Sequence, residues 1–571
     1  MKRNLVLVSA LAVCILFSGC NPLKNMKKGA ETVKYTVNPP VLELVGDQVN
    51  VSINGSYPAG YFNKKVVLTL TPTLVSGNNE LSFDVYKVQG ESVKENNKEI
   101  KVDGGSFNYS SKVAYKPEFQ VSELMLRITG VHKGKQPGLD FDPYKLADGI
   151  ITTCLLVEKN GKATYASDKY VRITPDSYEA DIKYVIQQSD VRTSETKKAE
   201  ISAFTEAVKA AAANDRINFT GTQLSAYASP DGPYELNDKL ANSRQKTGND
   251  FFVKNFKTAK VEDVVKSELL KTVVTPEDWE GFKKLMEQSN IRDKELVLRV
   301  LSMYSDSQVR DREIHNLAAA FEEIKDKILP QLRRTKMTVN VELVGRSDQE
   351  INAQFDSDPS KLSVEEILYA GTLTQDANRK LSIYQAAARY YPSDYRTKNN
   401  LGAALLNLGR TSEAKTALND AKNINNNEIV KNNLGIVALR EGNLAAAEEL
   451  LTAAGSSDEV KFNLGTIKII QGAYADAISY FGNQVEVNAA LAKLLTKQND
   501  AALSTLNSVK SDDALVYYLK AIVGARKSDN NLLMNNLRTA CSKSAELKAN
   551  ARKDAEFGKY FEDSTFKSIV Q

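Results

Sequence analysis

Histidine, cysteine and tryptophan are scarce in this chain. The two histidines, His132 and His315, stand far apart, and a metal site needs clustered ligands, so no zinc centre follows. Of four cysteines, Cys14 and Cys20 fall in the first twenty residues, while Cys154 and Cys541 lie in regions of different character. An oxidising compartment would permit a disulfide between the last two; two buried free thiols are the expectation. There is no glycine-rich phosphate loop and no Gly-x-Ser-x-Gly nucleophile turn. The acidic pair beside the single tryptophan, Glu277 and Asp278 before Trp279, could suggest glycan hydrolysis. After Pro276 it fits the start of a helix better, where carboxylates complement the dipole. Lysine and arginine number 75 against 71 acids, a net charge of +4, with none of the basic striping that nucleic acid demands. A non-catalytic protein without cofactor or metal is expected.

What is present begins at the N-terminus. Lys2 and Arg3 precede an apolar run from Leu5 to Phe17, closed by Ser18-Gly19-Cys20. This is the form of a secretory signal with a small-residue cleavage site. The run is too short for a membrane span, which takes about 20 apolar residues. Ending on cysteine, it resembles a bacterial lipobox, with Phe17 three before the cysteine where leucine is commoner and Leu16 one place off. The resemblance implies cleavage before Cys20 and acylation of that residue, palmitate being one of the acyl chains; several chains on one residue make an effectively permanent anchor. Residues 1–19 then form a lipoprotein signal peptide and 20–34 a lipidated linker. Asn21 stands where an inner-membrane retention aspartate would be, and the stretch to Lys28 holds lysines and no acid. By resemblance to other lipoproteins this implies the periplasmic face of the outer membrane.

The length suffices for three or four domains, each with its own core. Residues 35–178 read as β. Val49, Val51 and Ile53 alternate with Asn50, Ser52 and Asn54, and Leu124, Leu126 and Ile128 with Glu123 and Arg127, Met125 being apolar on the outer face; both are period-two patterns. Val66, Leu68 and Leu70 make a further run, after which Pro72 removes a ladder hydrogen bond. Asn54-Gly55, Asn160-Gly161 and Asp103-Gly104-Gly105 are turn signals. Short strands so punctuated suggest an immunoglobulin-like β-sandwich. Asp140, Asp142 and Asp148 fit no calcium loop spacing and read as a solvated loop.

Residues 180–346 read as α/β, with a short strand at 183–187, an amphipathic helix over 195–213 capped by Ser194, and a strand over 218–228. The stretch that follows contains Tyr227, Ser229, Asp231, Gly232, Asn237, Leu240 and Arg244. Its motif positions resemble the ligand-binding segment of OmpA-like domains in type and spacing at Tyr227, Gly232, Asn237, Leu240 and Arg244. Active members of that family bind the diaminopimelate stem of peptidoglycan. An aspartate takes the ammonium, and the helix arginine makes a forked pair with the carboxylate. Ser229 occupies the aspartate position here, so half of that clamp is missing, and Asp231 is the nearest substitute. A helical insertion is expected over 261–327, with the chain returning in a strand over 337–344. Two readings stand open: retained peptidoglycan contact through Arg244, or Arg244 paired with a neighbouring carboxylate in a protein-docking domain.

Residues 360–571 carry a repeat. From Leu401-Gly402, small or apolar residues follow at Ala414, Leu418 and Ala421. The same offsets from Leu434-Gly435 reach Ala447, Leu451 and Ala454, and from Leu464-Gly465 reach Ala477, Phe481 and Gln484. Working back, Ile367 reaches Tyr384 and Ala387. Successive starts lie 34, 33 and 30 residues apart, the period of the tetratricopeptide repeat. Such repeats stack into a solenoid whose concave face binds extended or helical partners. The fold class expected is therefore multidomain: β-sandwich, α/β OmpA-like domain, all-α solenoid. The function expected is a periplasm-facing scaffold linking outer membrane, cell wall and a protein partner on the concave face of the solenoid. The alternative is an assembly adaptor for secretion or surface-fibre machinery with no peptidoglycan binding.

Overall fold

The computed structural model describes residues 22–571; the expected signal segment and Cys20 lie outside the described residues. No helix among the described residues is long and apolar enough to cross a membrane. The chain divides into two compact units, one made of residues up to Ser167 together with Gln375–Gln571, the other of Asp168–Thr374. The β region and the solenoid, separate in the sequence reading, thus belong to one unit.

Helix α1 (Pro22–Lys28) opens the described chain. It buries Leu23 and Met26 in the β core, and Lys27 Nζ pairs with Asp142 at 3.0 Å. The expected linker is therefore folded onto the core from Pro22 onward. Eleven strands follow: β1 (Lys34–Asn38), β2 (Val41–Val45), β3 (Gln48–Tyr57), β4 (Val66–Ser76), β5 (Asn79–Ser82), β6 (Tyr86–Gly90), β7 (Lys98–Ile100), β8 (Gly105–Ala114), β9 (Glu123–His132), β10 (Lys135–Asp140) and β11 (Tyr144–Ile151). Their order is β1-β3-β2-β11-β9-β4-β6-β7, with β8 on β3, β5 on β4 and β10 on β9. β2 joins the halves, antiparallel to β3 and parallel to β11. The alternation read from sequence sets the burial: Val49, Val51, Ile53, Leu124, Leu126 and Ile128 all point into one core.

Two sequence signals resolve differently. β4 runs through Pro72. On one side it pairs continuously with β9; on the other it pairs with β6 up to Leu70 and with β5 from Thr73. The proline lies in the gap between those two partners, where its missing N–H costs nothing to the ladder. Asn54-Gly55 is not a turn but mid-strand in β3, paired with Asn108 and Phe107. A Cβ at Gly55 would sit 2.1 Å from Phe107 Cε1, so the missing side chain makes room for the ring. Asp103-Gly104-Gly105 does turn, with Gly104 at φ +100°. The three aspartates have separate partners: Thr129 for Asp140, Lys27 for Asp142 and Lys145 for Asp148.

The second unit is built on a four-stranded sheet of β12 (Ile173–Lys183), β13 (Ile217–Tyr227), β14 (Leu270–Thr275) and β15 (Arg334–Val344), in the order β12-β15-β13-β14. β13 and β14 are parallel, the other pairs antiparallel. Three expectations need correcting. The first strand is Ile173–Lys183, so the α/β sheet begins inside the stretch assigned to the β region, and 183–187 is not a strand. Ser194 does not cap the amphipathic helix: α2 (Thr193–Thr196) is a single turn and α3 (Ala199–Ala212) starts beyond it. The insertion is not all helical, because β14 completes the sheet before helices α5 (Trp279–Gln288), α6 (Lys294–Met303), α7 (Ser307–His315), α8 (Ala318–Lys327) and α9 (Leu329–Leu332). These helices share a core of their own around Phe282, Met286, Val297, Ile324 and Leu332. Asp278 caps α5, accepting from the Gly281 N–H at 2.9 Å. Helix α4 (Tyr234–Thr258) buries Asn237, Ala241, Arg244, Gly248, Phe252 and Phe256, a stripe at helical spacing that faces the sheet. The unit ends with α10 (Asp348–Ser357) and α11 (Val364–Ala370), the second of which holds Ile367.

The solenoid begins with α12 (Ala377–Tyr390). Helix pairs follow: α13 (Tyr395–Asn407) with α14 (Thr411–Ile424), α15 (Glu428–Arg440) with α16 (Leu444–Thr452), α17 (Asp458–Ile470) with α18 (Tyr474–Phe481), α19 (Val487–Leu495) with α20 (Asn499–Ser508), and α21 (Ala514–Lys527) with α22 (Asn530–Lys543). Leu401 and Gly402 lie on α13, Leu434 and Gly435 on α15, and Leu464 and Gly465 on α17. A Cβ on Gly402 would stand 2.5 Å from Leu418, on Gly435 2.6 Å from Leu451, and on Gly465 2.8 Å from Phe481. The glycines are where the two helices of a pair touch. Ala414, Ala447 and Ala477 are fully buried on the second helices.

Candidate functional site

Two sites stand out, one in each unit. In the α/β unit, β13 runs from the sheet into the loop after Tyr227, and α4 starts on the far side of that loop. The sheet-facing stripe of α4 therefore brings Asn237 and Arg244 beneath it. They line a cleft of about 210 Å³ with Ser229, Asp231, Leu240, His315 and Arg333. Asn237 Nδ2 donates to the carbonyls of Asp231 and Gly232, each at 3.4 Å, which fixes the loop. Arg244 is 1% exposed. Its Nε donates to the Gln188 carbonyl at 3.0 Å, one Nη to the Tyr227 carbonyl at 3.0 Å and the other to the Val185 carbonyl at 3.5 Å. No carboxylate takes it. Burial pulls the guanidinium down to about 10, so it is charged at neutral pH. Tyr227 itself lies under the Arg334 guanidinium, 4.1 Å from the ring centre.

The carboxylate in the cleft pairs elsewhere. Arg333 Nε donates to Ser229 Oγ at 3.1 Å, and its Nη to Asp231 Oδ2 at 3.3 Å. Asp231 Oδ1 is buried with no hydrogen-bond partner. Sequence reasoning missed Arg333 as a site residue. It ends the insertion, next to the returning strand, about a hundred residues from the loop it serves, and no local pattern marks it.

In the other unit, the first helices of four successive solenoid repeats, α13, α15, α17 and α19, present asparagine to the inner face. Asn399, Asn400, Asn432, Asn433, Asn463 and Asn488 are all at most 1% exposed. The concave face, expected to hold a partner protein, is filled by this chain's own residues 157–167. Four asparagines grip that segment as amide against amide. Asn488 accepts the Glu158 N–H at 3.0 Å and donates to its carbonyl at 2.8 Å. Asn463 does the same for Lys162, at 2.7 and 3.1 Å, Asn433 for Thr164, both at 2.8 Å, and Asn400 for Ala166, at 2.7 and 2.9 Å. Asn399 and Asn432 add donors to the Thr164 and Lys162 carbonyls. Their own oxygens accept from Asn433 and Asn463 of the next repeat, both at 2.9 Å. Lys162, Thr164 and Ala166 are held at every second residue because an extended chain repeats every two residues.

Asn160-Gly161 is not a hairpin turn but a kink within this segment. Gly161 has φ +70°, and a Cβ there would meet Ile436 at 2.8 Å. Arg440 donates to the Asn160 carbonyl at 3.0 Å. Upstream, Cys154 is buried as a free thiol, its Sγ donating to the Leu44 carbonyl at 3.3 Å. Cys541 is likewise free and buried, and burial raises both thiols. The asparagines were visible in the sequence as a repeated Asn-Asn-Leu-Gly at 399–402 and 432–435, and as Asn-Leu-Gly at 463–465. Nothing beside them says what they hold.

No protein-family model and no curated protein matches the chain. Among solved structures, the APC/C hetero-tetramer Cut9-Hcn1 is similar over 38% of this chain at 16% identity, with a TM-score of 0.32; the chain spans 44% of that one. A tetratricopeptide repeat protein from Parabacteroides merdae ATCC 43184 is similar over 39% of this chain and 89% of its own, at 14% identity and a TM-score of 0.28. Yeast Tom70 is similar over 66% of this chain and 93% of its own, at 12% identity and a TM-score of 0.27. The repeat assignment itself rests on the helix pairs and glycine contacts described above.

Proposed function

We propose that this chain is a non-catalytic scaffold, anchored by lipid on Cys20 to the periplasmic face of the outer membrane. In this reading the β region is an immunoglobulin-like sandwich, the α/β unit is an OmpA-like domain that contacts peptidoglycan, and the solenoid unit serves a protein partner. The observation that supports the wall contact is the charge of the cleft. Among the residues lining it, Arg244 and Arg333 bring two guanidiniums and Asp231 one carboxylate, with the Asp311 carboxylate close by at the Gly232 N–H, and the acceptors of Arg244 are neutral carbonyls. The Arg244 guanidinium is not paired with a carboxylate, and a stem-peptide carboxylate suits a guanidinium fork.

Sedimentation of the full chain with purified sacculi tests this. The native chain should pellet and Arg333→Ala should not, while Cys20→Ala should leave the membrane fraction and keep its hold on sacculi. A native chain that stays in the supernatant would favour the second reading, an assembly adaptor for secretion or surface-fibre machinery without wall contact. On that side stands the structural task of Arg244, whose three acceptors tie together the loops around β13.

A further inference from the structure

The groove of the solenoid recognises main chain. Each of the four asparagine–backbone pairs is spent on one residue's N–H and C=O, while Asn432 also donates to the Thr164 hydroxyl at 3.0 Å. Identity matters where the groove crowds the segment, and at Lys162, whose ammonium pairs with Glu486. At Gly161 Ile436 leaves no room for a Cβ, and Ala166 is 4% exposed. Side chains add to the hold without setting it: the Lys162 ammonium lies 4.7 Å above the Phe462 ring, and the Tyr165 hydroxyl accepts from Asn407 at 2.9 Å.

We propose that this groove is a peptide-binding site for extended chain, that its ligand is residues 158–166 of the same molecule, and that occupancy in cis closes it to peptides supplied in trans. Two facts favour closure. Both ends of the segment are fixed within the same unit. On one side Cys154 is set in the β core and Thr153 donates to Glu556 at 2.6 Å; on the other Arg396 donates to the Ser167 carbonyl at 3.4 Å. A ligand so tethered acts at a high effective concentration that a free peptide must outcompete. Withdrawal would also strip six asparagines of their backbone partners and open to water the apolar groove that the segment covers. The segment thereby helps fasten the β region to the solenoid, beside the direct contacts of Tyr474 with the Leu44 carbonyl and Lys497 with Glu43.

The test uses the full chain and a fluorescein-labelled synthetic peptide of residues 156–168. Native chain should give no rise in anisotropy. Hydrogen exchange should show the amides of Glu158, Lys162, Thr164 and Ala166 as slow as those inside α15. In Gly161→Val the new side chain collides with Ile436, so the segment should lose its protection and the groove should then bind the peptide saturably. Saturable binding to native chain overturns the closure. Fast exchange at those four amides overturns the occupancy, and it is read on native protein whether or not the variant folds. A folded Gly161→Val chain that ejects its segment yet ignores the peptide overturns the binding site. A native dimer that Gly161→Val converts to monomer would mean the segment comes from a second copy.

Discussion

Asn463 and Lys162 face each other as two amides, the Lys162 N–H donating to Asn463 Oδ1 at 2.7 Å while Asn463 Nδ2 donates to the Lys162 carbonyl at 3.1 Å. The lysine reaches asparagine through its backbone, 301 positions away in the chain. This pair and its three counterparts tie the β region to the solenoid, beside direct contacts such as Tyr474 with Leu44 and Lys497 with Glu43, and they shape how that unit should respond to substitution.

Asn433→Asp is isosteric and removes two donors, those to the Thr164 carbonyl and to Asn399 Oδ1. It also places a carboxylate oxygen against both acceptors. A buried group left unsatisfied costs about 1–3 kcal/mol, more for a charged one, so the melting temperature should fall by several degrees. Asn407→Asp, at the exposed end of α13, where the amide donates to the Tyr165 hydroxyl, should cost less. Equal melting temperatures for Asn433→Asp and native protein would show that the ladder adds nothing to stability.

Gly435→Leu puts a side chain where a Cβ alone would stand 2.6 Å from Leu451. Overpacking of this kind costs about 1–3 kcal/mol. Gly435 shares α15 with Asn432 and Asn433, so displacement of that helix should also loosen the held segment. Protease mapping should find new cleavage between residues 395 and 500 and within 157–167. Cleavage confined to the solenoid would show that the segment does not depend on α15.

Gly55→Ala should destabilise the β core, because the new methyl group meets the Phe107 ring. Phe107→Leu alone should cost stability by opening space. Combined, the two should lose less than the sum of the single losses, since residues in contact are not additive. Urea melts of the four proteins give the coupling, and simple additivity would disprove the contact.

Asp554 is 2% exposed. Burial, with Glu556 nearby, lifts its carboxyl to about 6, and the Tyr518 hydroxyl donates to it at 2.8 Å. Its folded value lies above its unfolded one, so between about pH 4 and 6 the folded state binds more protons. Stability from this group is therefore greatest at the acid end and falls as pH rises through the window, by about 3 kcal/mol in all. Asp554→Asn keeps an acceptor for the Glu556 N–H and cannot titrate. Melting curves from pH 4 to 7 should show native protein losing stability relative to the variant as pH rises. Parallel curves would remove Asp554 from the pH response.

The sequence by itself determined what repeats locally. Leucine-glycine pairs, answered by small residues at fixed offsets, specify which helix faces touch. Both helices of a repeat lie within one short stretch, and helical geometry converts spacing into contact. Alternation fixed the inward faces of β3 and β9 for the same reason, and the stripe through Asn237 and Arg244 is one face of one helix. The tertiary structure alone decided what distant segments do to one another. Gly55 and Gly161 look like turn glycines in sequence; Phe107 and Ile436, brought against them by the fold, make them clearances instead. Pro72 looks like the end of a strand, and only the change of neighbour from β6 to β5 shows why it is tolerated within one. Arg333 joins Ser229 and Asp231 because β15 returns beside β13. The asparagine ladder is printed plainly in the repeats, but an amide's partner is another amide, which every residue but proline supplies. No sequence pattern could name the segment it holds; only the fold, which lays residues 157–167 along the first helices, does.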